Sequence, residues 1–274
     1  MSDIVLTAGV RANLLQLQST AATITNTQSK LATGKRVNSA LDNPINFFTA
    51  QGLSNRASDL SNLLDSTSTA INTIQAANNG ITSITKLVQS AQALVSQAQQ
   101  TSDTTIRAGL ATQFQAIRGQ IDQLAGDSGF NGINLLDSTN SANLTIVLNE
   151  RGTSSVTVNA VNFTSGGSLA INNAANNFST TADITAASTD LTAALTKLRS
   201  QAQAFGSSLS TVQIRQDFTK ATINTLQTGA DALTLADSNE EGANLLALQT
   251  RQQLSTTALS LASQASQAVL RLFG

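Results

Sequence analysis

Three groups of side chains in this sequence are of types that do chemistry. Asp237, Glu240 and Glu241 gather three carboxylates within five residues, the raw material of a cation site. Asp122 and Asp127 place two carboxylates near the end of one helical stretch, where paired acid–base work would need them. Arg36, Asn38 and Asp42 put a guanidinium, an amide and a carboxylate close together, enough for a polar latch. None of these develops into an active centre. The chain contains no His and no Cys, so no serine has an imidazole partner, and thiolate catalysis, Cys/His zinc sites and disulfides are excluded. No HExxH and no phosphate-binding glycine loop occurs. The acidic trio reads as the first turn of a helix, where the helix dipole favours negative charge. Asp42 and Asn43 read as caps for a helix opening at Pro44. Asn131-Gly132 reads as a tight turn with positive φ. The expectation is a protein that is not an enzyme, with no catalytic residue, no metal and no cofactor.

The elements that carry these groups follow from composition and spacing. Charged residues are 11% of the 274 and aromatics 3%, while Ser, Thr, Asn and Gln together make 115 residues. Net charge is −1 with no basic block, which argues against nucleic acid and against an anionic membrane surface. No stretch approaches 18 consecutive apolar residues, so no membrane span is expected. The start, Met1 to Gly9, has no basic run and too short an apolar one for a cleaved signal. Pro44 is the only proline, which permits long uninterrupted helices.

Apolar residues recur at the 3-4 spacing of a helix–helix seam. The first run is Val10, Leu14, Leu17, Ala21, Ile24, Gln28 and Leu31, stopping at Gly34. A second extends from Leu53 to Val95, and a shorter third from Leu110 to Leu124. Leu144–Leu148 and Val156–Val158 read as strands, joined by a turn at Arg151-Gly152-Thr153-Ser154. Residues 161–188 read as loops, with one more short strand near Leu169–Ile171. The helical pattern resumes from Leu191 to Leu233. The last segment carries two adjacent stripes. One is Leu254, Ala258, Leu261, Ala265, Ala268 and Leu272. The other is Leu245, Leu248, Leu259, Ala262, Val269 and Phe273. A helix that is apolar on two sides expects burial on two sides.

The expected fold class is therefore mainly α. It is a long antiparallel helical hairpin or coiled coil, with paired N- and C-terminal helices and a small central β-hairpin region. Residues 1–34 hold only Asp3, Arg11 and Lys30 as charges, and residues 243–274 only Arg251 and Arg271. Charge depletion marks interface cores, because burying an unpaired charge costs several kcal/mol. Both ends of the chain are expected to be buried against other subunits.

At this point the motifs resemble a known family. Leu31-Ala-Thr-Gly34-Lys-Arg36-Val-Asn38-Ser-Ala40-Leu-Asp42-Asn-Pro44 resembles the N-terminal motif of bacterial flagellins. Gly129-Phe130-Asn131-Gly132-Ile133-Asn134 is similar to that family's Phe-Asn-Gly segment. Ala236-Asp237-Ser238-Asn239-Glu240-Glu241, leading into Leu248-Gln-Thr-Arg251, resembles its C-terminal entry motif, and the ending through Phe273 fits as well. The resemblance covers about residues 1–137 and 190–274.

It implies a structural subunit that polymerises into the flagellar filament, secreted through a type III route and located outside the cell. It divides the chain into an N-terminal inner coiled-coil segment (1–42), surrounding helices (43–137), a β-hairpin and loop region (138–190), a surrounding C-terminal helix (191–235) and a C-terminal inner coiled-coil segment (236–274). Terminal helices would fold on assembly. The residues expected at subunit interfaces are Leu14, Leu17, Ile24, Leu31, Arg36, Leu254, Leu261, Val269, Leu272 and Phe273. The implied partners are further copies of the chain, the export apparatus and its chaperone, and the filament cap and hook-junction proteins. Many flagellins carry an arginine-bearing segment recognised by a Toll-like receptor. The nearest stretch here, Val88 to Leu94, has no arginine, so recognition is expected to be weak or absent. The alternatives are a hook–filament junction protein, or a soluble coiled-coil scaffold module.

Overall fold

A computed structural model describes the backbone of residues 8–273, with side chains at Ala8, Ser266 and 269–273 outside the description. The order is α1 (Ala8–Thr33), α2 (Pro44–Gln100), α3 (Thr104–Asp127), β1 (Leu144–Val147), β2 (Ser155–Val158), a 3-10 turn (Ala175–Phe178), α4 (Thr181–Thr234) and α5 (Ser238–Phe273). The fold is mainly α with one small antiparallel hairpin. Two compact units are present. One comprises residues up to Asn55 together with those from Thr225 onward, and the other comprises Arg56–Asn224.

In the second unit, α2 and α4 run antiparallel. Gln216 Nε2 on α4 donates to Ser68 Oγ on α2 at 3.0 Å, while Ile81 and Thr85 share a groove with Leu198 and Ala202. Polar residues that fall on these seams satisfy themselves locally. Thr67 and Thr219 are buried, and each hydroxyl donates to the carbonyl four residues back, at 2.9 Å. No buried side-chain nitrogen or oxygen among the described residues lacks a partner.

α3 begins at the cap Asp103, whose carboxylate accepts from the Thr105 and Ile106 amides. It lays Phe114 and Ile121 into the same core, where Phe114 meets Phe178 edge-on at 5.4 Å. The buried Arg107 guanidinium ties the α2–α3 corner to the 3-10 region by donating to the carbonyls of Ala98, Thr101 and Ser179.

β1 and β2 pair in register Leu144↔Val158 through Val147↔Ser155. Leu144, Ile146 and Val158 point inward, while Thr145 and Thr157 face out. Gly152 supplies the positive φ of the turn, and Asn149 braces it by bonding Thr153 and Ser154. No strand forms near Leu169–Ile171. Leu169 and Ile171 are both fully buried, with Ala170 at φ 53° between them, so the segment is a packed turn. α4 also starts at Thr181, ten residues before its apolar spacing becomes regular. Asp183 and Thr180 exchange capping bonds at that start.

Candidate assembly interface

In the first unit α1 packs against α5 as a coiled coil. The inward seam of α1 is Val10, Asn13, Leu17, Thr20, Ile24, Thr27 and Leu31, a strict 3-4 alternation. The facing seam of α5 is Glu241, Leu245, Leu248, Gln252, Ser255, Leu259 and Ala262. Lys30 Nζ bonds Glu241 Oε1 at 2.9 Å across the pair.

The sequence spacing placed Leu14, Ala21 and Gln28 on the α1 seam. The structure keeps Val10, Leu17, Ile24 and Leu31 there but turns Asn13, Thr20 and Thr27 inward instead. Leu14 and Leu15 consequently face out. α5 divides in the same manner. The stripe through Leu245, Leu248, Leu259 and Ala262 is half-buried against α1, while Leu254 and Leu261 stay 67% and 61% exposed, with Leu246 beside them. Each terminal helix therefore spends its polar-bearing seam within the chain and leaves leucines outside. Exposed leucine rows of this kind mark protein–protein contact surfaces.

Where α1 meets α2 and α4 meets α5, the two connectors are laced together. α1 ends at Gly34, whose φ of 68° is the left-handed stop expected after its seam. The Arg36 and Val37 amides both donate to the Thr234 carbonyl, at 2.8 and 3.2 Å, and Ala236 donates back to Gly34 at 3.0 Å. The Arg36 guanidinium donates to the Ala232 carbonyl at 3.2 Å.

The two capping residues separate in role. Asn43 Oδ1 accepts the Asn46 amide and caps α2 as expected. Asp42 instead accepts the Asn38 and Ser39 amides, both at 2.9 Å, and so holds the preceding turn. Those bonds, Ser39 first, hold its carboxyl below the ordinary 3.8. Asp237 caps α5 by accepting the Asn239 and Glu240 amides.

Of the interface candidates, Leu14, Leu254 and Leu261 are exposed, Leu17 and Leu31 half-buried and Ile24 buried. Val269, Leu272 and Phe273 lie outside the described side chains. Leu15 and Leu246 were missed because they fall off the 3-4 rows that sequence spacing rewards. Among the described residues no group of His, Cys, Asp or Glu could hold a metal, and no helix is long and apolar enough to cross a membrane. Asn131 and Gly132 take φ of 50° and 78°, the tight turn expected of them. Asp122 accepts from the Ser165 amide and hydroxyl, which makes it a loop anchor.

Two family comparisons bracket this architecture. Residues 7–141 match the bacterial flagellin N-terminal helical region, and residues 188–273 match the bacterial flagellin C-terminal helical region. The chain belongs to the bacterial flagellin family. Flagellin FljM of Caulobacter vibrioides is 31% identical over 274 residues, spanning all of this chain and 99% of the relative. Flagellin FljO of the same organism is 30% identical over the same span. A solved structure, that of Bacillus cereus flagellin, aligns over 55% of this chain and 86% of its own, with 22% identity and a TM-score of 0.49. This flagellin is a structural subunit of the flagellar filament, and its family assembles by self-polymerisation outside the cell.

Proposed function

We propose that filament growth is driven by completing the burial of α1 and α5. The observation that carries this is the two-faced character of both helices. Their inward seams include Asn13, Thr20, Thr27, Gln252 and Ser255, while Leu14, Leu15, Leu246, Leu254 and Leu261 are left for neighbours. An α1–α5 pair with so polar a seam gains little from its own packing, so the ends fold fully only when neighbouring copies cover the leucines. On this reading residues 1–42 and 236–274 form the filament's inner layer, residues 43–137 and 191–235 surround it, and residues 138–190 lie at the far side. Of the residues expected at the interface, Leu14, Arg36, Leu254, Leu261, Val269, Leu272 and Phe273 would meet neighbouring copies, while Leu17, Ile24 and Leu31 lie on the seam within the chain.

The contact between copies is heterologous and propagates without closing. The family's export apparatus with its chaperone, and the cap and hook-junction proteins, are the remaining partners. Low charge in both terminal segments suits a chain whose ends pass unfolded through a channel and then bury. The Val88–Leu94 segment offers Gln89 and Gln92 where receptor recognition would want guanidinium groups, so Toll-like receptor activation is weak or absent.

Limited proteolysis of the monomer tests the folding claim. Trimming is expected to stop near residues 40 and 235, leaving a resistant middle, and the same sites become protected in filaments. A monomer resistant along its whole length contradicts it.

A further inference from the structure

The Asn131-Gly132 turn takes no part in the assembly account. It is one of two Asn-Gly steps in the chain, the other being Asn79-Gly80. An asparagine before glycine is prone to lose its side-chain amide, because no side chain shields the glycine nitrogen from the asparagine Cγ. Whether it does so depends on how the backbone is held. The two steps are held in opposite ways.

Asn131 and Gly132 are the central residues of a two-residue turn between Phe130 and Ile133. Each flanking residue donates its amide to the other's carbonyl, at 2.9 and 3.0 Å. The φ angles of 50° and 78° make the turn type I′. Both central residues are exposed. Neither the Asn131 side chain nor the Gly132 amide is hydrogen-bonded to any described residue. A flip of the peptide plane between them turns type I′ into type II′, carrying ψ of Asn131 from about +30° to about −120°. That is the backbone angle at which the Gly132 nitrogen can close a five-membered ring on Asn131 Cγ. The bonds that close the turn belong to Phe130 and Ile133 and survive the flip. Gly132 follows it to negative φ, which glycine takes freely, and the space beside its Cα is open.

Asn79-Gly80 has none of this freedom. It lies inside α2, where the Gly80 amide donates to the carbonyl four residues back, as interior helix amides do. Gly80 is buried, and Ser128 and Leu136 press on it too closely for a Cβ to fit.

We propose that Asn131 is a site of spontaneous deamidation in the folded chain, and that α2 protects Asn79 from the same reaction. Solvent base takes the Gly132 amide proton, and the nitrogen attacks Asn131 Cγ. The bond from Cγ to the side-chain nitrogen breaks, and ammonia leaves with a proton from water, closing a succinimide. Water then opens the ring at either carbonyl, giving aspartate or isoaspartate. The balance is one water consumed and one ammonia released. The isoaspartate form adds one backbone atom between Phe130 and Ile133, which the two-residue turn does not accommodate. The inference stands apart from the polymerisation reading.

The test uses purified wild-type monomer held at mildly alkaline pH, either folded or in urea, then digested with pepsin in acid for peptide masses. In the folded chain the peptide holding Asn131 is expected to gain one dalton at least about tenfold faster than the peptide holding Asn79, whose reaction waits for α2 to open. In urea the two rates converge. Equal rates in the folded chain, or an Asn131 that stays intact when folded while both react in urea, overturn the proposal. The product is also incubated with protein isoaspartyl methyltransferase and labelled S-adenosylmethionine. Label in the Asn131 peptide is expected. Its absence overturns the ring route, because direct hydrolysis of the side-chain amide yields aspartate alone.

Discussion

At the level of single residues, the tightest constraint is a glycine. A methyl group on Gly80 of α2 would sit 2.2 Å from Ser128 Oγ and 2.7 Å from Leu136 Cδ1, where the loop after α3 presses onto the helix. Gly80→Ala is expected to destabilise the second unit by about 1–3 kcal/mol, read as a fall in thermal midpoint. Phe114→Ala, which empties a fully buried site beside Phe178, is expected to cost about 3–5 kcal/mol by the same measurement. Stability should also depend on acid. Asp42 is held below its ordinary value by the Ser39 and Asn38 amides, Asp183 by the Thr180 hydroxyl and Asp137 by the Asn140 amide. For each, the folded form ionises more readily than the unfolded one. Their contribution is complete above the ordinary 3.8 and is lost as pH falls through the lower folded values. Thermal midpoints should be flat near neutrality and fall below about pH 4, and a midpoint that rises there would contradict these bonds. The sequence showed that a cap stood before Pro44 but not which residue supplied it. Asp42 and Asn43 are both good caps, and only the backbone path decides that Asn43 reaches Asn46 while Asp42 reaches back to Ser39.

Among the elements, the long helices and the hairpin were legible because each bears a period that one buried face enforces. Val10, Leu17, Ile24 and Leu31 fix the α1 seam from sequence alone, and Leu144, Ile146 and Val158 fix the hairpin's inner face. The other half of the α1 seam was not legible. Hydrophobicity favours Leu14, Ala21 and Gln28 no more weakly than it favours Asn13, Thr20 and Thr27, and the rows differ by one residue. In the free chain the threonines turn inward, where Thr20 bonds the Gln16 carbonyl at 2.9 Å, and the leucine face is released outward. The packed turn at Leu169–Ile171 was read as a strand because two buried residues flanking a third mimic alternation. The α1–α5 account predicts a separation of stability from assembly. Leu254→Glu or Leu261→Glu should leave the monomer's melting unchanged, since both side chains are exposed. Each should abolish seeded filament growth, because a carboxylate buried at the interface costs several kcal/mol. Growth at the wild-type rate would remove these leucines from the interface.

For the molecule as a whole, length, low charge and absent His and Cys excluded most chemistry before any fold was drawn, and the terminal motifs identified the family. What no composition could reveal was the exposure of Phe48 and Phe218, because neither lies on a long periodic row. The missing arginines between Val88 and Leu94 give a prediction at this scale: purified monomer should activate a Toll-like receptor reporter far less than an arginine-bearing flagellin does. The central claim is that the terminal helices are completed by neighbouring copies. The most direct measurement is electron microscopy of purified chain, with and without sheared filament seeds, beside hydrogen exchange on the free monomer. The account predicts long uniform filaments growing from seeds, with slow exchange in α1 and α5 only after assembly. Chain that stays monomeric with seeds, and already protects both terminal helices, would contradict it.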